Sequence, residues 1–371
     1  MKIGNIGYRS TWAEINLHSL VHNFRSIKRL LSGQKVMVCV KADAYGHGIA
    51  AVSKKLVTCG VDYLGVASID EGMRLRKEGI RAPILVLGLV LKENIKPLLT
   101  YDLTATVCTQ DFAAALNKKA KALKRRAKVH IKVDTGMGRI GVLYKDAAAL
   151  IKKVHSMRYL ETEGLFTHLA CADINQKFTR LQLSLFERLI AALEKDGIRI
   201  PLVHAANSMG AISYRGSHFN MVRPGLSIYG IYPKRGLPLS LKPVLSLKTR
   251  VIFVKRVPKG SGISYGHTYI TRKSATIVTL PIGYGDGYPR DLSNLGPVLI
   301  KGRRYRISGR VCMDQMMVDV GNAPVKVGEE AVLIGSQGSG RISAEELAGL
   351  CATIPYEIVC GLGSRIPRVY L

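Results

Sequence analysis

Acidic residues are scarce in this chain. Its 371 residues include 26 Asp and Glu against 55 Lys and Arg, which gives a formal net charge of +29 at pH 7. A surface this basic attracts polyanions, so a nucleic-acid-binding protein has to be considered. The basic clusters at 118–128 (KKAKALKRRAK) and 301–306 (KGRRYR) contain a single aromatic residue, Tyr305. Single-strand binding platforms interleave aromatic and basic residues, so we do not predict a nucleic-acid partner.

Long hydrophobic runs are also missing. The longest apolar stretch, 83–91, is far shorter than the ~20 residues that span a bilayer, and the first twelve residues lack the apolar core of a signal peptide. The seven cysteines stand singly, without a CxxC pair. That arrangement favours a reducing cytoplasm over a disulfide framework or a zinc site. We therefore expect a cytoplasmic protein with no membrane partner and no bound metal.

Short β-branched runs alternate with amphipathic helical stretches from residue 35 to residue 231. The predicted strands are 36–41, 63–68, 84–89, 103–108, 129–134, 161–168, 202–205 and 221–231. The predicted helices between them include 69–78, 110–122, 146–154 and 180–195. This alternation predicts an α/β fold with a parallel (β/α)8 barrel of the TIM type. A doubly wound open sheet is the competitor, but no GxGxxG follows the first strand.

The helical periodicity disappears after Pro243, and alternating strands dominate. The predicted strands are 245–257, 275–282, 298–307, 309–320 and 330–334, with one helix that begins at Ser343 in a capping-box sequence. We predict a barrel domain at 12–240 and a mostly β C-terminal domain at 241–371. Residues 1–11 are expected to pack with the second domain.

The stretch 36–48 (VMVCVKADAYGHG) is the most informative part of the sequence. An apolar, β-branched run ends on Lys41, and a glycine-containing loop follows. A lysine at the end of a buried strand is poorly hydrated. A desolvated amine is a nucleophile for carbonyl compounds and a workable base near neutrality. The alternative for Lys41 taken alone is a strand-end side chain that reaches solvent.

Polar side chains also stand at the ends of other predicted strands. They are Lys132 with Asp134, His168, the trio His204, Asn207 and Ser208, and Arg223. Each alone has a structural explanation. Function concentrates at the carboxyl ends of barrel strands, however. Because these side chains and Lys41 open on one face, the sequence predicts a site there.

Eight segments, in the same order along the chain, resemble the alanine racemase family. The segments are VKADAYGHG (40–48), KVDTGMGRIG (132–141), GLFTHLA (164–170), HAANS (204–208), RPGLSIYG (223–230), SYGHTY (264–269), GYGDGYPR (283–290) and GRVCMDQMMVDV (309–320). The resemblance covers essentially the whole chain. It implies racemisation of L- and D-alanine with pyridoxal 5′-phosphate, in a cytoplasmic homodimer that shares its active sites and supplies D-alanine for peptidoglycan.

The resemblance implies that Lys41 forms a Schiff base with the cofactor aldehyde. The other implied cofactor contacts are Tyr45, His168, Asn207, Ser208, the backbone amides of Gly225 and Leu226, and Tyr356. The physical reasoning agrees, since a phosphate needs several donors in fixed positions and a Pro-Gly pair lets backbone amides approach closely.

Arg223 would face the pyridine nitrogen by the same resemblance. Arginine keeps its proton at physiological pH, so the ring nitrogen would stay largely unprotonated. The carbanion is then less delocalised and is reprotonated quickly, which suits racemisation.

Racemisation requires proton transfer on both faces of the α-carbon. The resemblance assigns Lys41 to the D-alanine proton and Tyr265 of the partner subunit to the L-alanine proton. A phenol is a poor base at neutral pH unless positive groups surround it, and the family provides a His168–Arg223 pair for that purpose. Without the resemblance, Tyr265 would be interpreted as a structural tyrosine in a turn.

Substrate recognition is implied for Arg139 and the backbone amide of Met313, which would bind the carboxylate. Lys132 is often carbamylated in this family; the alternative is an ion pair with Asp134 or Asp173.

Three further residues complete the implied site. Tyr284, with Tyr356, would narrow the entrance, and Cys312 and Asp314 would support the loop around Met313.

Several other functions remain open from the sequence. One is racemisation of another small amino acid such as serine, since one hydroxyl gives little discrimination in a small pocket. A barrel-type pyridoxal-phosphate decarboxylase is a second, although such enzymes lack the tyrosine of the SYG segment. A non-catalytic pyridoxal-phosphate carrier is a third, but those proteins are single barrels without a β domain.

Overall fold

The β-branched runs of the first part of the chain form strands, and the amphipathic stretches form helices around them. The computed structural model describes residues 8–234 and 236–371. The strands in this part are β1 (Thr11–Ile15), β2 (Lys35–Cys39), β3 (Tyr63–Val66), β4 (Ile84–Val86), β5 (Thr104–Val107), β6 (Ala127–Asp134), β7 (Val142–Leu143), β8 (Leu160–Phe166), β9 (Leu202–His204) and β10 (Met221–Val222).

Most of the helices are amphipathic and cover the outside of the parallel strands, whereas the short α2 and α9 lie at the carboxyl ends of β2 and β9. They are α1 (Leu17–Lys28), α2 (Lys41–Tyr45), α3 (Ile49–Thr58), α4 (Ile69–Lys77), α5 (Ile95–Thr100), α6 (Gln110–Ala122), α7 (Tyr144–His155), α8 (Gln176–Lys195) and α9 (Ser208–Ser213). Side-chain caps begin several of them; Thr109 Oγ1, for example, accepts from the amide of Phe112 at the start of α6.

Eight of these strands form a parallel barrel. Their order is β10-β2-β3-β4-β5-β6-β8-β9. Backbone hydrogen bonds from Asn220 N to Val203 O (3.4 Å) and from Arg223 N to Ala206 O (2.9 Å) join β9 to β10, so the barrel is nearly closed. Met37, Tyr63, Leu85, Phe166, Leu202 and Met221 pack together as a buried cluster. The predicted barrel is confirmed.

All but one of the eight predicted barrel strands end earlier than expected, and two of these differences bear on the position of the cavity. The strand predicted at 221–231 is formed only at β10, because the Pro-Gly pair at 224–225 is followed by a 3-10 turn, Leu226–Tyr229. The strand predicted at 36–41 ends at Cys39, and Lys41 begins the single turn α2.

The C-terminal part is mostly β structure, as predicted. Its strands are β11 (Leu245–Arg250), β12 (Phe253–Val257), β13 (Gly262–Ile263), β14 (Tyr269–Ile270), β15 (Ala275–Leu280), β16 (Pro297–Ile300), β17 (Arg303–Arg306), β18 (Met316–Gly321), β19 (Glu330–Gln337), β20 (Gly340–Ile342) and β21 (Arg368–Tyr370). Two short helices accompany them, α10 (Ala344–Leu350) and α11 (Pro355–Cys360). Ser343 caps α10 by accepting from the amide of Glu346, as the sequence predicts.

These strands form two main sheets. The larger has the order β17-β16-β19-β11-β1-β21, with β20 beside β19, and the smaller is β12-β15-β18. Strand β1, near the start of the chain, thus lies between β11 and β21. Of the segment 1–11 that we expected to pack here, residues 1–7 lie outside the described part of the chain.

Three predictions in this part were wrong in detail. The single strand predicted at 245–257 is two strands, because the chain passes from one sheet to the other at 251–252. The strand predicted at 298–307 is a hairpin whose turn residues Lys301 and Gly302 have φ of +52° and +73°. Of the stretch 309–320, only the part from Met316 onward is a strand.

None of the helices in the described residues is long and apolar enough to cross a membrane.

Candidate active site

The carboxyl ends of the barrel strands surround a cavity of about 410 Å³. The predicted residues that line it are Lys41, Tyr45, Lys132, Arg139, His168, Asn207, Ser208, Arg223, Gly225, Leu226 and Tyr356. The sequence reasoning missed six others, namely Cys39, Ala67, Leu87, Gly88, Ile140 and Phe166. Of the polar strand-end residues that we predicted to meet on one face, all except Asp134 and His204 line this cavity.

The charge of this cavity is strongly one-sided. Four of the lining side chains are cationic, Lys41, Lys132, Arg139 and Arg223, and none of the described lining residues is a carboxylate. Unopposed cations in a half-enclosed space repel one another and attract an anionic ligand. The cavity is therefore suited to a molecule that carries phosphate or carboxylate groups.

Neutral hydrogen-bond donors converge on one side of the cavity. Ser208 Oγ lies 3.0 Å from the amide of Gly225, 3.3 Å from the amide of Ser227 and 3.1 Å from the Ser227 hydroxyl. A Cβ atom at Gly225 would lie 2.6 Å from the hydroxyl of Tyr45. Only glycine lets this backbone and the phenol approach so closely. The result is a cradle of amide and hydroxyl donors of the kind that binds phosphate.

Two phenols border this cradle and keep their protons. Burial raises the pKa of Tyr45 well above its usual range and raises the pKa of Tyr356 to about 12. The two rings lie 5.8 Å apart, and Tyr45 also packs against Tyr229 at 4.9 Å. At physiological pH both hydroxyls can therefore donate a hydrogen bond to an anion.

An unusual turn presents Lys41 to the cavity. Within α2, the residues from Ala42 to Tyr45 have φ of +52°, +50°, +56° and +54°, a left-handed conformation that costs about 1–2 kcal/mol for each non-glycine residue. Glu71 holds the turn, because its two carboxylate oxygens accept from the amides of Ala42 (2.6 Å) and Ala67 (2.7 Å). The turn places both Lys41 and Tyr45 on the cavity wall.

Arg223 is buried and its orientation is fixed. Its Nη1 lies 2.7 Å from Nδ1 of His204, and its Nη2 donates to the carbonyls of Thr167 (2.7 Å) and Ala205 (3.1 Å). The guanidinium carbon lies 5.3 Å from the centre of the Phe166 ring. Burial lowers the pKa of Arg223 to about 10, so the side chain is still protonated at neutral pH.

His168 lies beside Arg223, the pair that the resemblance implied. Its Nδ1 lies 3.5 Å from Nη2 of Arg223. Burial, followed by the charges of Arg223 and Lys132, lowers the pKa of His168 well below its usual range. The imidazole is therefore neutral near pH 7, and Arg223 alone supplies positive charge to this pair.

Lys132 is a buried cation among other cations. Burial lowers its pKa to about 8, with further contributions from Arg223 and Arg139. The ion pair with Asp134 that we considered is not formed. Asp134 Oδ1 instead accepts from the amides of Gly136 (2.8 Å), Met137 (2.8 Å) and Gly138 (3.2 Å), which shapes the loop that carries Arg139.

Tyr265 and Met313, in contrast, lie away from this cavity. They line a separate open cleft of about 550 Å³ in the C-terminal part, together with Cys312 and Asp314. Tyr265 is 73% exposed and Met313 is 54% exposed. Within one chain, the structure therefore divides the predicted site residues into two groups.

The segment before Tyr265 is strained. Ser264 has φ +68° and ψ −176°, a conformation that only glycine adopts readily and that costs about 1–3 kcal/mol. Its hydroxyl donates to the carbonyl of Arg310 at 2.7 Å, which holds it in place. Such strain is typical of functional segments.

The loop around Met313 is supported on several sides. Cys312 Sγ lies 3.3 Å from the Ser264 hydroxyl. The backbone carbonyl of Cys312 accepts from the amide of Tyr284 at 3.0 Å. Asp314 accepts from Arg365 at 2.7 Å. Tyr284 is thereby fixed beside Met313, and Tyr356 lies in the other cavity.

The fold and the cavity define an enzyme of the barrel type with an anion-binding site at the carboxyl ends of its strands. Residues 15–233 match the family model described as alanine racemase, N-terminal domain, and residues 244–370 match the alanine racemase C-terminal domain. The chain therefore belongs to the alanine racemase family, whose members are isomerases that act on amino acids.

Individual relatives agree over nearly the full length. An alanine racemase of Halothermothrix orenii is 50% identical over 367 residues, with 98% of this chain and 97% of the relative covered. The solved alanine racemase of Clostridium difficile 630 superimposes with a TM-score of 0.93 at 39% identity, with coverage of 98% and 96%. A histidine racemase from Leuconostoc mesenteroides superimposes with a TM-score of 0.92 at 30% identity, covering 98% of both chains.

Proposed function

We propose that this chain binds pyridoxal 5′-phosphate in the barrel cavity and interconverts L- and D-alanine by a two-base mechanism. One observation carries the proposal: three other basic side chains and a cradle of neutral donors surround Lys41, without a carboxylate among the described lining residues. The cofactor is a dianionic phosphate ester with an aldehyde, so this set of groups fits it. Lys41 Nζ can attach to the aldehyde, while Tyr45, Ser208, Gly225, Leu226 and Tyr356 bind the phosphate.

When bound, the cofactor acidifies the α-proton of an attached amino acid. The guanidinium of Arg223 is fixed by His204 and two carbonyls. It would therefore hold the ring in place and leave the ring nitrogen unprotonated. His168 and Asn207 would border the ring. None of the described lining residues is a carboxylate that could protonate that nitrogen, which would favour rapid return of the proton to carbon.

Two groups move protons in this mechanism. Lys41 Nζ acts on one face of the α-carbon, and the hydroxyl of Tyr265 of the partner subunit acts on the other. The exposure of Tyr265 and its place outside the cavity of its own chain support this division, since a second subunit can bring the exposed cleft against the cavity. We therefore propose a homodimer with shared sites.

Substrate binding involves both groups as well. Arg139 would bind the substrate carboxylate from within the cavity, and the backbone amide of Met313 would do so from the partner's cleft. Cys312, Asp314 and Tyr284 keep the Met313 loop in shape, and Tyr284 and Tyr356 limit the size of the side chain that enters. A cytoplasmic enzyme of this kind would supply D-alanine for peptidoglycan.

A different substrate is the second candidate function. The structure is similar to that of a histidine racemase at 30% identity, so racemisation of an amino acid other than alanine is the second candidate. It is tested by offering L-alanine, L-serine and L-histidine to the same preparation and comparing kcat/KM.

The substitution Tyr265→Phe tests the two-base assignment. It removes one hydroxyl from an exposed position, so the fold is retained. Loss of a general acid–base group lowers a rate by roughly 10²–10⁴-fold, and we expect the L-to-D direction to fall by that order in a polarimetric assay. Tyr305→Phe, a matched change in the hairpin β16–β17, serves as the control. Equal activity of Tyr265→Phe and the unmodified protein would contradict the assignment.

A further inference from the structure

A chain of buried hydrogen bonds crosses the barrel interior from Arg223. Nη1 of Arg223 lies 2.7 Å from Nδ1 of His204, and Nε2 of His204 lies 2.9 Å from Nδ1 of His130. Nε2 of His130 lies 3.2 Å from Oε2 of Glu163. Both imidazoles are fully buried. The chain begins beside the cavity and ends at a carboxylate in the middle of β8.

The direction of every bond in this chain follows from the donor inventory. A guanidinium has only donors, so Nδ1 of His204 must accept and the proton of His204 must be on Nε2. That proton is donated to Nδ1 of His130, whose own proton is then on Nε2 and is donated to Glu163. Both histidines are thereby assigned as neutral Nε2–H tautomers.

The charged groups of this hydrogen-bond chain are at its two ends, Arg223 and Glu163. Burial lowers the pKa of both His130 and His204, which keeps the imidazoles neutral. Burial would raise the pKa of Glu163, but hydrogen bonds from His130, Lys128 and Tyr63 outweigh it and lower that pKa to about 2. The Tyr63 hydroxyl and Lys128 Nζ each lie 2.7 Å from the Glu163 carboxylate. A cation at the cavity is thus connected to an anion inside the barrel.

The backbone is shaped to fit this chain. Val129 pairs with Thr162 and His130 pairs with Gly164, so Glu163 is the additional residue of a bulge in β8. Bulges re-aim the side chain of the extra residue. A Cβ atom at Gly164 would lie 2.4 Å from the ring of His130, so glycine provides the space for that ring.

We propose that His204, His130 and Glu163 are positioning residues for Arg223, through a one-directional hydrogen-bond chain that holds the guanidinium in one orientation. The chain occupies one Nη1 hydrogen, and the two carbonyl bonds occupy Nη2. Nε–H and the second Nη1–H have no partner among the described residues and are the donors left for a ligand. Their role toward a bound cofactor ring rests on the proposed function.

The first test is the tautomeric state of the histidines in the unmodified protein. Protein labelled with ¹⁵N-histidine is examined by long-range ¹H–¹⁵N correlation between about pH 6 and pH 9, with and without added pyridoxal phosphate. The expected result is two neutral Nε2–H imidazoles, assigned with His130→Gln and His204→Gln, that do not titrate in this range. An Nδ1–H tautomer or an imidazolium at either position would overturn the proposal. Because this readout needs no turnover, it is independent of the proposed substrate.

The second test removes the negative charge of Glu163 but keeps the shape of its side chain. In Glu163→Gln the amide oxygen can still accept from His130, so the fold is retained. We expect kcat with alanine to fall about tenfold with little change in KM, and the ¹⁵N resonances of His204 to shift. Glu161→Gln lies on the same strand but outside the hydrogen-bond chain, so it should change neither kcat nor the His204 resonances.

A third variant keeps the test decisive if Glu163→Gln folds poorly. Tyr63→Phe removes one donor from Glu163 and leaves its carboxylate a stronger acceptor. The Nε2–H proton resonance of His130 should then move downfield from its position in the unmodified protein, as expected for a stronger hydrogen bond. Unchanged kcat in Glu163→Gln, or unchanged resonances in Tyr63→Phe, would contradict a positioning role. If the unmodified protein racemises none of the amino acids offered, the proposed function fails. The tautomers of His130 and His204 still test the hydrogen-bond chain in that case.

Discussion

Lys132 is a buried basic side chain on the wall of the cavity. It is 3% exposed, and the described residues offer it no carboxylate within ion-pair distance. Arg223 and Arg139 add to the burial that brings its pKa to about 8. Roughly a tenth of such amines are unprotonated at pH 7, and a neutral amine is the form that reacts with CO2. We therefore propose that Lys132 is carbamylated and that the carbamate pairs with Arg139.

Substitutions at Lys132 discriminate between a carbamate and a free amine. Lys132→Met removes both forms, so kcat/KM for alanine should fall by about tenfold or more, the order expected for a lost charge-assisted hydrogen bond. Lys132→Glu restores a negative charge and should retain more activity than Lys132→Met. The measurement is steady-state kinetics, with ¹³C NMR after incubation in ¹³C-bicarbonate. Lower activity of Lys132→Glu than of Lys132→Met, with no carbamate resonance, would contradict the proposal.

The sequence was sufficient to predict the residues at the strand ends but not those behind them. Lys41, His168 and Arg223 stand out in the sequence because each is a polar residue that interrupts or ends an apolar run. His130 lies two residues before Lys132 on the same strand, and a period of two would have placed both on the inner face. Its partner Glu163 could not be found in this way, because the bulge in β8 changes the side-chain alternation.

At the scale of elements, the turn α2 is the part of the site that pattern reasoning could not predict. Four successive non-glycine residues with positive φ contradict local preference. They are stabilised by contacts distant in sequence, from Glu71 to Ala42 and from Arg74 to Asp43 (3.0 Å). The hairpin at 301–302 and the pairing of β1 with β21 likewise depend on tertiary contacts. The alternation of strands and helices, in contrast, is local and was predicted.

Removal of Glu71 should loosen this turn. Glu71→Ala leaves the amides of Ala42 and Ala67 without their acceptor, and we expect the free energy of unfolding to fall by about 1 kcal/mol. Because Lys41 begins the turn, kcat should fall about tenfold or more, beyond any effect of stability. Urea unfolding and kinetics on the same preparations measure both. Glu78→Ala, a surface pair with Lys54 at the end of α4, is the control and should change neither by much. Equal behaviour of the two variants would contradict the role of the turn.

At the scale of the whole molecule, the division of the site between two clefts argues for assembly. The cavity with Lys41 and the cleft with Tyr265 share no described residue. A twofold dimer would bring each cavity against the partner's cleft and create two equivalent sites. The charge of +29 is a separate property of the molecule, and nothing in the structure explains it.

Mixed dimers test the shared site. Lys41→Ala and Tyr265→Phe should each be inactive, but subunit exchange between them creates dimers in which one site has both groups intact. Random exchange of equal amounts should restore about a quarter of the unmodified activity, from the statistics of a twofold dimer. The measurement is alanine racemisation after mixing, with exchange verified by mass-tagged subunits. Full exchange without recovered activity would show that both groups act within one chain.

The most direct test of the two-base mechanism is α-proton exchange. The protein and pyridoxal phosphate are incubated with L-alanine in heavy water, and chiral chromatography and proton NMR follow the products. We expect D-alanine with deuterium at the α-carbon, because a proton is removed on one face and a deuteron is delivered on the other. Deuteration without inversion, or no exchange with the cofactor bound, would contradict racemisation of alanine by two bases.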